Sequence, residues 1–353
     1  MDLMKKLSEV AGVPGREDAV RTIIESELRG IVDDLATDAM GNLTAVKRSG
    51  RDGAKKVMVA AHMDEIGFLV RHIDDKGFLR VQQLGGFDPR NLFARQVTVH
   101  GSLAKTELIG VMNPSGKPIH ISTAEERTKV PTLPDFYVDL GMDAERVRER
   151  VRVGDVVTLR QPFVDMGDVV TGKALDDRTG CWILIRALQE LHGAGESAAV
   201  DVHAVFTVQE EVGLRGAQTG AFRVAPDLGI ALDTTLAVDT PGIDEHLRVT
   251  QLGKGVALKV MDSSAISTRW LLDAFIDLAE REGVPHQLEV LPLGGTDAGA
   301  IQKIREGVPS ITLSTPSRYV HTVTEMVAKS DLDAAVKLLT AYLRQGPGAN
   351  AGA

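Results

Sequence analysis

One cysteine, few aromatics and no long apolar run set the first limits on this 353-residue chain. With Cys181 alone, no internal disulfide framework can form, and the chain fits a reducing compartment. That cysteine opens the apolar helical stretch C-W-I-L-I-R-A-L, so it reads as a small buried hydrophobe rather than a reactive thiol. Rings are scarce, at 2 Trp, 3 Tyr and 9 Phe, which argues against a sugar cleft built on aromatic platforms. No stretch is long enough to span a bilayer, and no basic-then-apolar leader opens the chain, so a cytoplasmic location is expected. Basic charge is in deficit, 40 Lys and Arg against 49 Asp and Glu, which disfavours nucleic acid as the main partner. What remains is the composition of a soluble enzyme, long enough for two or three cores.

What is present is concentrated in five islands: A-H-M-D-E at 61–65, L-D-D-R at 175–178, Q-E-E-V-G at 209–213, L-D-T-T at 232–235 and R-Y-V-H at 318–321. Most end or follow runs of β-prone apolar residues, and strand ends are where an α/β sheet presents catalytic groups. Two histidines with several carboxylates are the donor mix of zinc or cobalt, whereas calcium and magnesium prefer all-oxygen shells. The pattern therefore points to a hydrolase with two metal ions.

Each island has a bland alternative. His62 and Asp64 share one face of an extended chain, so His62 can bind a metal while Asp64 fixes its ring tautomer; a structural His–Asp contact is about as frequent. Asp176 and Asp177 can simply cap a helix, but two acids are more than a cap needs, and Asp176 is assigned as a carboxylate bridging two cations. Glu210 and Glu211 close the apolar run V-D-V-H-A-V-F-T-V-Q. Neighbours on a strand point opposite ways, so both reach one site only if the strand is already turning there. Asp233 and His321 would each be structural if taken alone; with the other islands they read as ligands.

Along the chain, strand and helix patterns alternate, with one interruption. A helix over R-E-D-A-V-R-T-I-I-E-S-E-L puts Val20, Ile23, Ile24 and Leu28 on one face. From 73 to 164 short strand-like pieces with Gly, Pro and Asn between them replace the alternation, with little helix beyond M-D-A-E-R-V-R-E-R. Afterwards the pattern predicts helix over 180–191, strands over 200–208 and 228–232, helix over 268–281, strands near 287–291 and 309–313, and helix over 330–344. The tail from 345 is expected to be disordered. The fold class is thus α/β: a mixed sheet with helices on both faces, formed by 1–72 and 165–353, carrying an inserted all-β, partly open barrel at 73–164.

Seven segments in order, H-M-D-E-I-G, G-K-A-L-D-D-R, E-E-V-G-L-R-G-A, L-D-T-T, L-G-K-G, G-G-T-D-A-G and R-Y-V-H-T, resemble the M42 metallo-aminopeptidases. These are tetrahedral, self-compartmentalising peptidases, some of which carry endoglucanase labels. The resemblance covers nearly the whole chain. It implies His62 and Asp233 on one zinc or cobalt ion, Asp176 bridging, and Glu211 and His321 on the second. It also implies Glu210 as general base, Asp64 behind His62, Thr296 and Asp297 in the substrate pocket, and a cis peptide between Asp176 and Asp177. The expected reaction is removal of the N-terminal residue of short peptides, with a leucine-like or broad neutral preference. The insert is expected to pair subunits into dimers that assemble to a dodecamer. Competing readings are a deacylase or carboxypeptidase on the same site, a glycosidase, and a non-catalytic metal-binding scaffold; the last would have no use for Glu210.

Overall fold

Strands of Val, Ala and Thr with no charge between their ends suit the centre of a sheet covered on both faces. The computed structural model, which describes residues 1–195 and 197–347, has such a sheet. The chain opens with two amphipathic helices, α1 (Asp2–Glu9) and α2 (Asp18–Leu28), followed by an antiparallel pair, β1 (Asp34–Thr37) and β2 (Leu43–Lys47), and then β3 (Lys56–His62). On α2, Val20, Ile24 and Leu28 are buried and Ile23 packs beside them, as the periodicity predicts.

The chain next forms a separate compact unit, Glu65–Pro162 with His321–Val323. Its strands are β4 (Gly67–Ile73), β5 (Leu79–Leu84), β6 (Arg95–Gly101), β7 (Thr106–Pro114), β8 (Phe136–Asp139) and β9 (Val156–Leu159). They close into an antiparallel barrel in the order β4-β5-β8-β7-β6-β9 around Phe68, Val97, Val99, Met112, Phe136 and Val157. Two expectations change here. The barrel is closed rather than partly open, because β9 pairs with both β4 and β6. The units part at Asp64 and Phe163 rather than at 72 and 165, because β4 hydrogen-bonds to β5 and β9. A short helix, α3 (Ala124–Thr128), opens on a Thr123–Glu126 capping box, and α4 (Ala144–Arg148) covers only the middle of the helix expected there.

The remaining chain returns to the sheet unit through β10 (Val164–Asp165) and β11 (Val169–Gly172). Then come α5 (Leu175–Gly193), β12 (Asp201–Thr207), α6 (Arg215–Val224), β13 (Leu228–Leu236), β14 (Val256–Met261), α7 (Arg269–Arg281), β15 (His286–Val290), α8 (Ala298–Ile301), β16 (Ser310–Arg318), β17 (Glu325–Ala328) and α9 (Lys329–Gln345). The main sheet order is β1-β2-β12-β3-β13-β16-β17-β11-β10, with β14 on β16 and β15 beyond it. Alternation divides the core: on β3, Val57, Val59 and Ala61 pack with residues of α1, α2, α5 and α9, while Met58 and Ala60 pack with α6 and α8. The β16 strand runs on to Arg318, beyond the expected end at 313. Of the tail expected to be disordered, residues 348–353 lie outside the described residues.

Candidate metal centre

Parallel strands bring their C-terminal ends to one place. Thr207 at the end of β12 pairs with His62 at the end of β3, and Asp233 lies two residues beyond Ala231, which pairs with Ala60. His62 Nε2 is 3.2 Å from Asp176 Oδ1 and 3.9 Å from both Glu210 Oε2 and Asp233 Oδ1. One donor atom from each of His62, Asp176 and Asp233 lies within 4.8 Å of the others, and all three residues are buried.

The adjacent aspartates divide two tasks. Asp176 and Asp177 interrupt the helical backbone at the start of α5, and the peptide bond between them is cis. Asp177 is the cap: Gly180 N–H donates to its Oδ1 at 3.0 Å, and His62 N–H to its Oδ2 at 3.2 Å. Asp176 is thereby turned to face the imidazole, and its own N–H donates to Glu325 Oε2 at 3.0 Å.

The glutamates converge because the strand has already turned. The β12 strand ends at Thr207, and Gln209 takes the left-handed conformation (φ +56°), which reverses the usual alternation before Glu210. Asp64 holds the next two residues: Glu210 N–H donates to its Oδ1 and Glu211 N–H to its Oδ2, each at 3.0 Å. The Asp64 carboxylate lies 3.6 Å from His62 Nδ1, too long for a hydrogen bond, while the backbone carbonyl oxygen of Asp64 lies 3.0 Å away and fixes the tautomer.

Burial and mutual repulsion dominate the electrostatics. Burial raises the carboxyls of Asp177, Glu210 and Asp233 well above the usual range, with Asp233 adding at Asp177, Asp233 and Glu211 adding at Glu210, and Asp176 adding at Asp233. Burial alone would lower the imidazole of His62, but Glu210, Asp176 and Asp64 carry it well above its ordinary value. Four buried acids about one imidazole form an excess of negative charge that a divalent cation would offset, and the imidazole-plus-carboxylate donor set suits zinc or cobalt. The residues present therefore fit a bound metal.

Glu211 is half-buried on the turn beyond Glu210. His321 lies beyond β16 in the left-handed conformation (φ +61°) and groups with the barrel unit, where a Cβ on Gly86 would lie 3.4 Å from its Nδ1. Thr296 is buried, sharing a hydroxyl hydrogen bond with Thr312 at 2.9 Å and lying 3.3 Å from Asp262 Oδ2. Asp297 Oδ2 accepts from the Thr207 hydroxyl at 2.5 Å, while its buried Oδ1 has no partner among the described residues. Burial pushes this carboxyl up to about 6. Cys181 is buried, with burial raising its thiol, and donates to the His62 carbonyl at 3.2 Å. Sequence reasoning missed Glu325, whose only signal is an acid opening the strand E-M-V-A, and Glu17, which reads as an ordinary first-turn acid of a helix.

Residues 41–338 match the family described as M42 glutamyl aminopeptidase. The chain belongs to the M42 peptidase family. It is thus a metal-dependent aminopeptidase. Among M42 relatives it is 34% identical to the lysyl aminopeptidase of Pyrococcus furiosus, over 98% of this chain and 96% of that one. The solved aminopeptidase of Desulfurococcus kamchatkensis is similar at 37% identity, with a TM-score of 0.91 over 98% of this chain and 94% of its own. The TET1 peptidase of Pyrococcus horikoshii, described as able to assemble into a tetrahedron or a large octahedral shell, is similar at 32% identity and a TM-score of 0.86, over 98% and 99%. No helix among the described residues is long and apolar enough to cross a membrane.

Proposed function

We propose that this aminopeptidase removes the N-terminal residue of short peptides with two divalent cations, zinc or cobalt, and with Glu210 as general base. One observation carries the reading: Asp176, Glu210 and Asp233, all buried, gather within 3.9 Å of a single imidazole nitrogen. His62 and Asp233 would hold one ion, Glu211 and His321 the other, and Asp176 both. Cations held there would supply Lewis acidity towards a carbonyl and lower the pKa of water.

The protein's own residues do the rest. Glu210 takes a proton from the attacking water and hands it to the leaving amine; burial and neighbouring acids lift its basicity toward the working range. Asp64 keeps that carboxylate in place through the Glu210 and Glu211 amides. The unpartnered Oδ1 of Asp297 is a suitable acceptor for the free α-ammonium of a peptide, and Thr296 stiffens the loop that carries it. A bound ammonium would restrict cleavage to the first residue.

The names of the M42 relatives also support a closed homo-oligomer, which we take to be a tetrahedral dodecamer of dimers paired through the barrel, working in the cytoplasm. The deciding experiment is a panel of aminoacyl chromogenic substrates and peptides, with free or acetylated amino ends, assayed with each metal. Free-amino substrates with neutral side chains should be hydrolysed, and acetylated ones should not. Equal turnover of acetylated peptides would turn the reading to a deacylase or carboxypeptidase.

A further inference from the structure

The turn that aims Glu210 is held by more than Asp64. Four successive amides leave β12 without a strand partner, and each donates to a side chain from elsewhere in the chain. Val208 N–H donates to Asn42 Oδ1 at 3.0 Å, Gln209 N–H to Glu17 Oε1 at 3.1 Å, and Glu210 and Glu211 N–H to Asp64. Gln209 is the residue where the chain most needs holding, since a non-glycine at φ +56° is disfavoured unless its surroundings determine it. Glu17 is buried, and the same Oε1 also accepts from Gly15 N–H at 2.7 Å, so the N-terminal loop and the catalytic turn are tied through one oxygen.

We infer that Glu17 is a positioning residue for catalysis: its carboxyl oxygen fixes the left-handed turn at Gln209 and so sets where the Glu210 carboxylate stands. The role calls for an acceptor rather than a charge. Both bonds go to one oxygen, and burial, with Asp64 adding, pushes the Glu17 carboxyl up to about 7, so that near neutrality both its forms are present and either offers an accepting oxygen. The inference rests on Glu210 being the base.

The test compares Glu17→Gln with Glu17→Met at nearly equal volume. The amide keeps the accepting oxygen; the thioether removes it. Glu17→Met should lower kcat by about 10- to 100-fold, the scale of a misplacement near 1 Å, with KM and the content of two ions per chain little changed. Amides 209–211 should exchange faster with deuterated solvent, and Glu17→Gln should restore both exchange and turnover. The double variant Glu17→Met with Glu210→Gln should be no slower than Glu210→Gln alone, since both act on one proton transfer. If Glu17→Met does not fold, Glu17→Asp takes its place, keeping the charge but falling short of Gln209. Unchanged kcat in the Met or Asp variant, or a loss in Glu17→Gln equal to that in Glu17→Met, overturns the inference. Full activity in Glu210→Gln with faster exchange in Glu17→Met would overturn the base assignment and leave the turn-holding role intact.

Discussion

Glu210 and Glu211 differ by one position and by what their backbone allows. Both amides are tied to Asp64, so neither side chain can exchange roles with the other without breaking a buried hydrogen bond to a carboxylate. Glu210 is the more buried of the two and lies against His62, where its carboxyl is raised most by desolvation; this is the environment of a proton carrier. Glu210→Gln keeps the shape and loses the ability to accept a proton. It should retain two ions per chain by metal analysis and the wild-type melting temperature, while kcat falls by about 10²- to 10⁴-fold. A variant with both ions bound and unchanged kcat would remove Glu210 from the reaction. Asp176 and Asp177 make the same point about neighbours. The sequence offers two equivalent acids, and only the backbone break at the head of α5 decides that Asp177 caps and Asp176 faces the imidazole.

At the scale of elements, the site depends on how β12 hands over to α6. Gly216 sits in the first turn of α6, donates to the Val208 carbonyl at 2.9 Å and accepts from Asn42 Nδ2 at 3.0 Å. A Cβ there would overlap the backbone of Val208 and the Asn42 side chain that holds the turn. Gly216→Ala should therefore destabilise the protein by about 1–3 kcal/mol, the usual cost of overpacking, and lower kcat as well, read by thermal melting and steady-state kinetics. An alanine variant with wild-type melting and turnover would mean that the turn tolerates displacement. Elements of this kind explain what was legible in the sequence and what was not. Apolar runs closing in acid marked β3 and β12, because a strand buried on both faces has that composition and its exit is where charge is exposed, and they marked β13 too, although that strand runs on past the buried Asp233 to Leu236. The run I-G-F-L-V-R is just as rich in β-formers, but nothing in its side chains says which sheet it joins, and it joins the barrel. Glu17 and Glu325 were invisible for a related reason. Each is an acid at an element boundary, and its meaning comes from a backbone amide far away in sequence.

For the molecule as a whole, the question is which surface carries assembly. The barrel unit exposes Ile109, Ile119, Ile121 and Val130, and the sheet unit exposes Leu288, Val290 and Leu293 along and just after its edge strand β15. A soluble chain seldom leaves such side chains uncovered in groups, and an unpaired strand edge invites a partner. The proposed pairing through the insert predicts that charge placed on the barrel breaks the particle, because a desolvated unpaired carboxylate in an interface weakens association by several kcal/mol at roughly the scale seen for buried charges. Ile119→Glu combined with Ile121→Glu should sediment as a monomer and keep hydrolysing a small aminoacyl substrate, since both residues lie outside the metal centre. Leu288→Glu combined with Val290→Glu serves as the counterpart at β15. If the barrel pair leaves a large particle intact while the β15 pair dissolves it, subunits associate through the catalytic sheet, and the barrel must serve some purpose other than pairing.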